Sequence, residues 1–211
     1  MPMRIGTPMP SLEGATEWLS SSAEEVLKDT EGRTVLIHFW SLSCGMCKDN
    51  LPRVAEWREK YASAGLSLIA IHMPRYPADT DVDAVREAVT LYDIRDPAAI
   101  DNEHKLRDAF QNEKGYVPAY YLFDEQHKLK SFAAGEYGTK VMEPALERLL
   151  GAPTAAQAGK NEVSTESGSD RVQSARRSGL SNCDPVATAL GTDLTAQLRT
   201  LTARHSQPAN P

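Results

Sequence analysis

Cys44-Gly45-Met46-Cys47 is the stretch of this 211-residue chain best equipped to do chemistry. With two residues between them at a helix start, two sulfurs can close a small disulfide ring. A mixed disulfide formed on one thiol is then resolved by the other without any domain motion. The same pair is also half of a tetrahedral zinc site, which wants four ligands. The other candidates, Cys183 with His38, His72, His104, His127 and His205, contain no second pair at ligand spacing.

The elements around the pair favour redox chemistry. Residues 35–40 are an apolar, β-rich run and read as a strand that feeds the turn carrying the cysteines. Beyond the turn, Leu51, Val54, Ala55, Tyr61 and Ala62 recur at helical spacing, which puts Cys44 at or just before the first turn and Cys47 one turn in. The unpaired amides and partial positive charge of a helix start stabilise a thiolate, so Cys44 is the expected nucleophile. A second strand at 66–72 is almost continuously apolar, as buried parallel strands are, and completes a strand-helix-strand unit.

Other segments supply cover. Residues 16–19 and 22–27 read as short helical pieces ahead of the first central strand, with Trp18 packed there, and Pro52 should bend the helix that follows the cysteines. Asp81 can cap a helix through Tyr92, a turn and short strand follow over 96–101, and a helix is expected over 103–110. Asp93, Arg95 and Asp101 read as a solvated loop. Strands are expected at 119–123 and 129–133. A last helix over 139–150 should turn Val141, Leu146 and Leu149 or Leu150 inward and end at Gly151.

Composition divides the chain. Every Phe, Trp and Tyr precedes residue 151, and the remainder is Ala, Ser, Thr, Gly, Gln and Asn with scattered charge, too poor in apolar surface to offset its ordering entropy. The expected organisation is a domain over 1–151, a disordered linker over 152–183 and a tail over 184–211. In that tail Asp184-Pro185 can start an amphipathic helix reaching about residue 204. Cys183 reads as a bystander beside the alternative of a distal resolving thiol. Residues 1–150 hold 17 Lys and Arg against 24 Asp and Glu, a net of −7, which argues against nucleic acid as a partner. The first residues lack the apolar core of a signal peptide and no run approaches a spanning helix, so a cytoplasmic location without membrane attachment is expected. In that compartment a paired CxxC is catalytic rather than structural.

Residues 39–48, Phe-Trp-Ser-Leu-Ser-Cys-Gly-Met-Cys-Lys, resemble the active-site segment of the thioredoxin superfamily, and Tyr116-Val117-Pro118-Ala119-Tyr120-Tyr121-Leu122-Phe123-Asp124 resembles its second signature. The order and separation of these two motifs are far more specific than CxxC alone. Within the superfamily the chain is most similar to TlpA/ResA-type thiol-disulfide oxidoreductases and to the thioredoxin-like domain of NHL-repeat proteins, over roughly residues 5 to 150. The resemblance implies an α/β thioredoxin fold, a central mixed sheet flanked by helices, with a helix-strand insertion between the two motifs. It implies disulfide exchange with protein substrates, catalysed by Cys44 and Cys47 with no cofactor beyond their disulfide. Pro118 would open its strand in cis linkage, and Val117 would offer its backbone to an extended substrate. Trp40 would pack beneath the turn, with Gly45 and Met46 on the substrate surface.

His38 occupies the position of the family's buried acid, two residues before the point where the strand ends. It reads either as a proton acceptor for Cys47 or as a core histidine satisfied by a backbone carbonyl. Ser43 and Met46 stand where thioredoxins keep Trp and Pro, so the family's strongly reducing potential does not carry over. In the cytoplasm the expected direction is reduction of partner proteins, recharged by a thiol reductant or a thioredoxin-reductase-like donor. Two alternatives accompany this reading. A thiol peroxidase would want a proline where Ile37 stands, and a binding module would have no need of both cysteines.

Overall fold

A strand buried along its whole length belongs in the middle of a sheet, and the computed structural model, which describes residues 3–151, puts one directly before the cysteines. In chain order the elements are β1 (Glu17–Trp18), α1 (Ala23–Asp29), β2 (Thr34–Trp40), α2 (Gly45–Tyr61), β3 (Leu66–His72), α3 (Val82–Leu91), β4 (Ala98–Ile100), α4 (Lys105–Ala109), β5 (Ala119–Phe123), β6 (Leu129–Ala134) and α5 (Gly138–Leu150). One six-stranded sheet runs β1-β4-β3-β2-β5-β6. The β2–β3 and β3–β4 pairs are parallel, while β5 joins β2 and β6 antiparallel, giving the mixed sheet of a thioredoxin fold. The parallel register sets Trp40 opposite His72, and the antiparallel one sets Phe39 opposite Ala119.

Alternation along β2 divides the core between the two faces of the sheet. Val35, Ile37 and Phe39 pack with Leu106, Phe110, Tyr121 and Phe123 on one side. Leu36 packs with Val54, Trp57, Tyr61, Tyr120 and Leu146 beneath α2 and α5 on the other. Helix α2 runs through Pro52 as one element.

Two expectations are corrected. Residues 16–19 are not helical: Thr16 and Leu19 donate their amides to Ile100 and Ala98, so this segment is drawn into the edge strand β1. In α5 Leu146 is buried and Leu149 and Leu150 pack against the core as expected, but Val141 is 46% exposed and Met142 and Ala145 are buried in its place. The helix starts one residue earlier than expected, at Gly138, where a Cβ would lie 2.7 Å from the Tyr120 ring and only glycine allows the approach. The linker, the amphipathic helix and Cys183 lie outside the described residues.

Candidate active site

Between the end of β2 and the start of α2 lie Ser41 to Cys44, a turn at the carboxyl end of a central parallel strand, where open α/β sheets bind their ligands. Cys44 is the N-cap of α2, and its sulfur accepts the Cys47 amide at 3.1 Å. The two cysteines form a disulfide with Cα atoms 5.3 Å apart. They are 3% and 2% exposed, so the sulfurs are reached past Gly45 and the 43%-exposed Met46. The first turn of α2 carries no acidic side chain that would oppose a thiolate.

Buried Trp40 packs with both cysteines, Leu51, Val85 and Ile100, and half-buried Val117 packs against the same cluster. The Val117-Pro118 peptide is cis. The β5 ladder begins at Ala119, which leaves Val117 beyond the paired part of the sheet beside the disulfide.

A carboxylate that sequence reasoning passed over ties the turn down. Asp79, buried in the short 3-10 helix Pro77–Thr80 after β3, accepts through one oxygen the hydroxyls of Ser41 at 2.8 Å and Ser43 at 2.7 Å. The same oxygen accepts the amides of Arg75 at 2.9 Å and Tyr76 at 3.3 Å. Burial alone would push this carboxyl up, but the hydrogen bonds from Ser43, the Arg75 amide, Ser41 and the Tyr76 amide hold it below the usual carboxylate range. Thus the segment after β3 reaches back and fixes two of the three residues that precede Cys44.

His72 fixes the third. Its Nε2 accepts the Leu42 amide at 3.2 Å, and its ring meets Trp40 edge to face with centroids 5.0 Å apart. That bond requires an unprotonated Nε2. Burial supplies it, lowering the imidazole to about 4 against the opposing pull of Asp79. The signals were present in the sequence as Ser41, Ser43 and the histidine ending β3, but nothing local connects them to Asp79, 36 residues beyond Ser43.

His38 is buried on the α2 side of β2, where it lines a small cavity of about 10 Å³ with Leu51, Arg58 and Asp96. Burial lowers its imidazole to about 4, aided by the Arg58 charge, and its Nε2 has no partner among the described residues. Arg58 itself pairs with buried Asp96 at 3.2 Å. No backbone carbonyl meets Nε2, and neither cysteine lines the cavity. Asp93 and Arg95 form an exposed ion pair, as a solvated loop should, but Asp101 is fully buried. It accepts the amides of Leu106 and Arg107 at 3.0 and 2.7 Å, which makes it a buried anchor of α4 rather than a solvated loop residue. Among the described residues no cluster of three His, Cys, Asp or Glu is arranged to hold a metal ion.

Comparison with known proteins adds four observations. The AhpC/TSA family matches residues 5–132. The chain is 41% identical over 150 residues to thiol-disulfide oxidoreductase YkuV of Bacillus subtilis, covering 70% of this chain and 97% of that protein. It is 30% identical over 123 residues to thiol-disulfide oxidoreductase ResA of Bacillus cereus, covering 58% and 67%. Among solved structures, a thioredoxin-like protein in its oxidised form superposes with a TM-score of 0.62 at 42% identity, over 70% of this chain and 97% of that one.

Proposed function

Since the chain belongs to the AhpC/TSA family, among its thioredoxin-like members of TlpA/ResA type, and is a thiol-disulfide oxidoreductase, we propose that it works as a reductase of protein disulfides. The observation that carries the proposal is the Cys44–Cys47 pair capping α2, with the Cys47 amide on the Cys44 sulfur. In the reduced protein that amide and the helix start favour a thiolate at Cys44.

The steps conserve electrons and protons. The Cys44 thiolate attacks one sulfur of the substrate disulfide, forming a mixed disulfide and releasing the other sulfur as a thiolate. Cys47, its proton passing through solvent to the thiolate released in the first step, then attacks the Cys44 sulfur, which closes the Cys44–Cys47 bond and releases the second substrate thiolate. The substrate gains the two electrons that the cysteine pair gives up, and a dithiol donor of thioredoxin-reductase type restores the pair. Val117 and Pro118 face the mixed disulfide and offer backbone to an extended substrate, Trp40 supports the turn, and Gly45 with Met46 forms the entrance. His38, neutral at pH 7 and lowered to about 4, is at most a weak acceptor for the Cys47 proton. No cofactor beyond the disulfide enters this scheme.

A cytoplasmic setting is part of the proposal, because a reducing compartment sets the direction. Among the described residues no helix is long and apolar enough to cross a membrane. The test is the midpoint potential of the pair, by thiol trapping and mass spectrometry in dithiothreitol and glutathione buffers, with Cys183→Ser as a control. A value near the reducing end, about −270 mV, supports a reductase. One near −120 mV would make the protein an oxidant or isomerase.

A further inference from the structure

We propose that this enzyme selects disulfides flanked by carboxylates, which it recognises through a basic cleft beside the cysteines; the inference rests on the reductase reading above. The cleft, about 330 Å³, opens between the segment after β3 and the loop before Val117, and is lined by Arg75, His104, Arg107, Lys114 and Glu113. Three permanent cations against one carboxylate reverse the sign of a domain whose residues 1–150 hold 17 Lys and Arg against 24 Asp and Glu.

The cations differ in how far they are already neutralised. Arg107 is paired with Asp108 at 2.8 Å. Arg75 lies over the exposed Tyr76 ring, 5.5 Å from its centroid, and neither Arg75 nor Lys114 has a carboxylate partner among the described residues. A guanidinium held against an aromatic face keeps its donor fork free for a carboxylate.

Chain connectivity puts the cleft within reach of the reacting sulfurs. The Met73 amide donates to the Trp40 carbonyl at 2.8 Å, so one wall starts at the foot of the active-site turn. The Arg75 amide shares the Asp79 oxygen with Ser43, the neighbour of Cys44. On the other wall Gly115 is two residues from Val117, within about 7 Å along an extended backbone. A substrate chain lying on Val117 therefore brings side chains one to three positions from its cysteine to Arg75 and Lys114.

The test compares disulfide-linked dimers of two peptides, Ac-Asp-Cys-Asp-NH2 and Ac-Asn-Cys-Asn-NH2, as oxidants of the dithiothreitol-reduced full chain after the reductant is removed. Acid quenching, alkylation and mass spectrometry give the second-order rates. The acidic dimer should react about tenfold faster at low salt, from about three- to fivefold for each of two exposed cations, and the advantage should shrink as salt rises. The double variant R75Q/K114Q, which keeps the Arg75 backbone amide on Asp79, should lose that advantage while the Asn dimer reacts at the original rate. Equal rates for the two peptides in the native protein, or a double variant that slows both alike, would overturn the selection while leaving the reductase in place. If neither peptide oxidises the cysteine pair, the reductase reading itself fails and this inference with it.

Discussion

Removing the Asp79 carboxylate should loosen the active-site turn. In Asp79→Ala four donors lose one acceptor: the Ser41 and Ser43 hydroxyls and the Arg75 and Tyr76 amides. They do not lose equally. Ser43 is exposed and can bond to water, as can partly exposed amides, whereas Ser41 is 0% exposed and keeps only the long contact to the Ser43 hydroxyl at 3.5 Å. A buried donor stripped of a charged acceptor costs about 1.5 to 3 kcal/mol, and the rehydrated groups add less than 1 kcal/mol each, so the variant should be about 3 kcal/mol less stable. Asp79→Asn retains an acceptor and loses only the charge, for a cost of about 1 kcal/mol. The assay is urea unfolding of the oxidised and reduced forms, with a double-mutant cycle through Ser41→Ala. Deleting the Ser41 hydroxyl in the Asp79→Ala background should recover at least about 1 kcal/mol, because the orphaned group is gone. If Asp79→Ala unfolds within about 0.5 kcal/mol of the native chain, or the cycle shows no coupling, the carboxylate does not hold the turn. Any difference between the two redox forms also appears in the midpoint potential, at about 30 mV for each 1.4 kcal/mol.

Other expectations are quicker to state. Cys44→Ser should abolish disulfide exchange, and Cys47→Ser should accumulate a mixed disulfide on Cys44 visible by mass spectrometry without reductant; trapping through Cys47 in the Cys44→Ser protein would reverse the assignment. His38 and His72 titrate near 6.5 when unfolded and about 4 when folded, so between those values the unfolded chain binds more protons. Their contribution is complete above pH 6.5 and is lost as pH falls toward 4, by about 2 kcal/mol each at pH 4.5. Urea midpoints at pH 7 and 4.5 should show it, and an unchanged gap in the His38→Gln, His72→Gln double variant would contradict it. Gly138→Ala should cost about 1 to 3 kcal/mol, since the new methyl meets a Tyr120 ring already packed on Trp57 at 6.1 Å; a melting temperature equal to the native one would show that the ring moves aside.

The strand-turn-helix core was legible because its signals are local. An apolar run and a helical period placed β2, the cysteines and α2, and the same patterning gave β3 and β5 to the residue. The Asp81 cap also announced its helix correctly. Misreadings fell where a partner distant in sequence decides the outcome. Glu17–Trp18 is a strand only because the β4 carbonyls accept the flanking amides of Thr16 and Leu19, and α5 can begin at Gly138 only because glycine fits against the Tyr120 ring. Asp101 looked like loop surface because the amides it receives belong to a helix that starts four residues later.

The same limit explains why the cysteines could be read from sequence and their support could not. A CxxC at a helix start carries its chemistry in four consecutive residues, whereas the clamp on it assembles from β2, the end of β3 and the segment beyond. That segment has two consequences for the site at once. Its Asp79 carboxylate fixes Ser41 and Ser43, and its Arg75 supplies the cleft with a cation whose backbone amide sits on the same carboxylate. The two effects separate by substitution: changing the Arg75 side chain leaves the amide in place and should alter only which disulfides are chosen. Changing Asp79 frees the amide as well as the turn, so substrate choice and turn stability should shift together. Residues 73–80 thus carry both the rigidity of the turn and its selectivity, although the electrons pass only through Cys44 and Cys47.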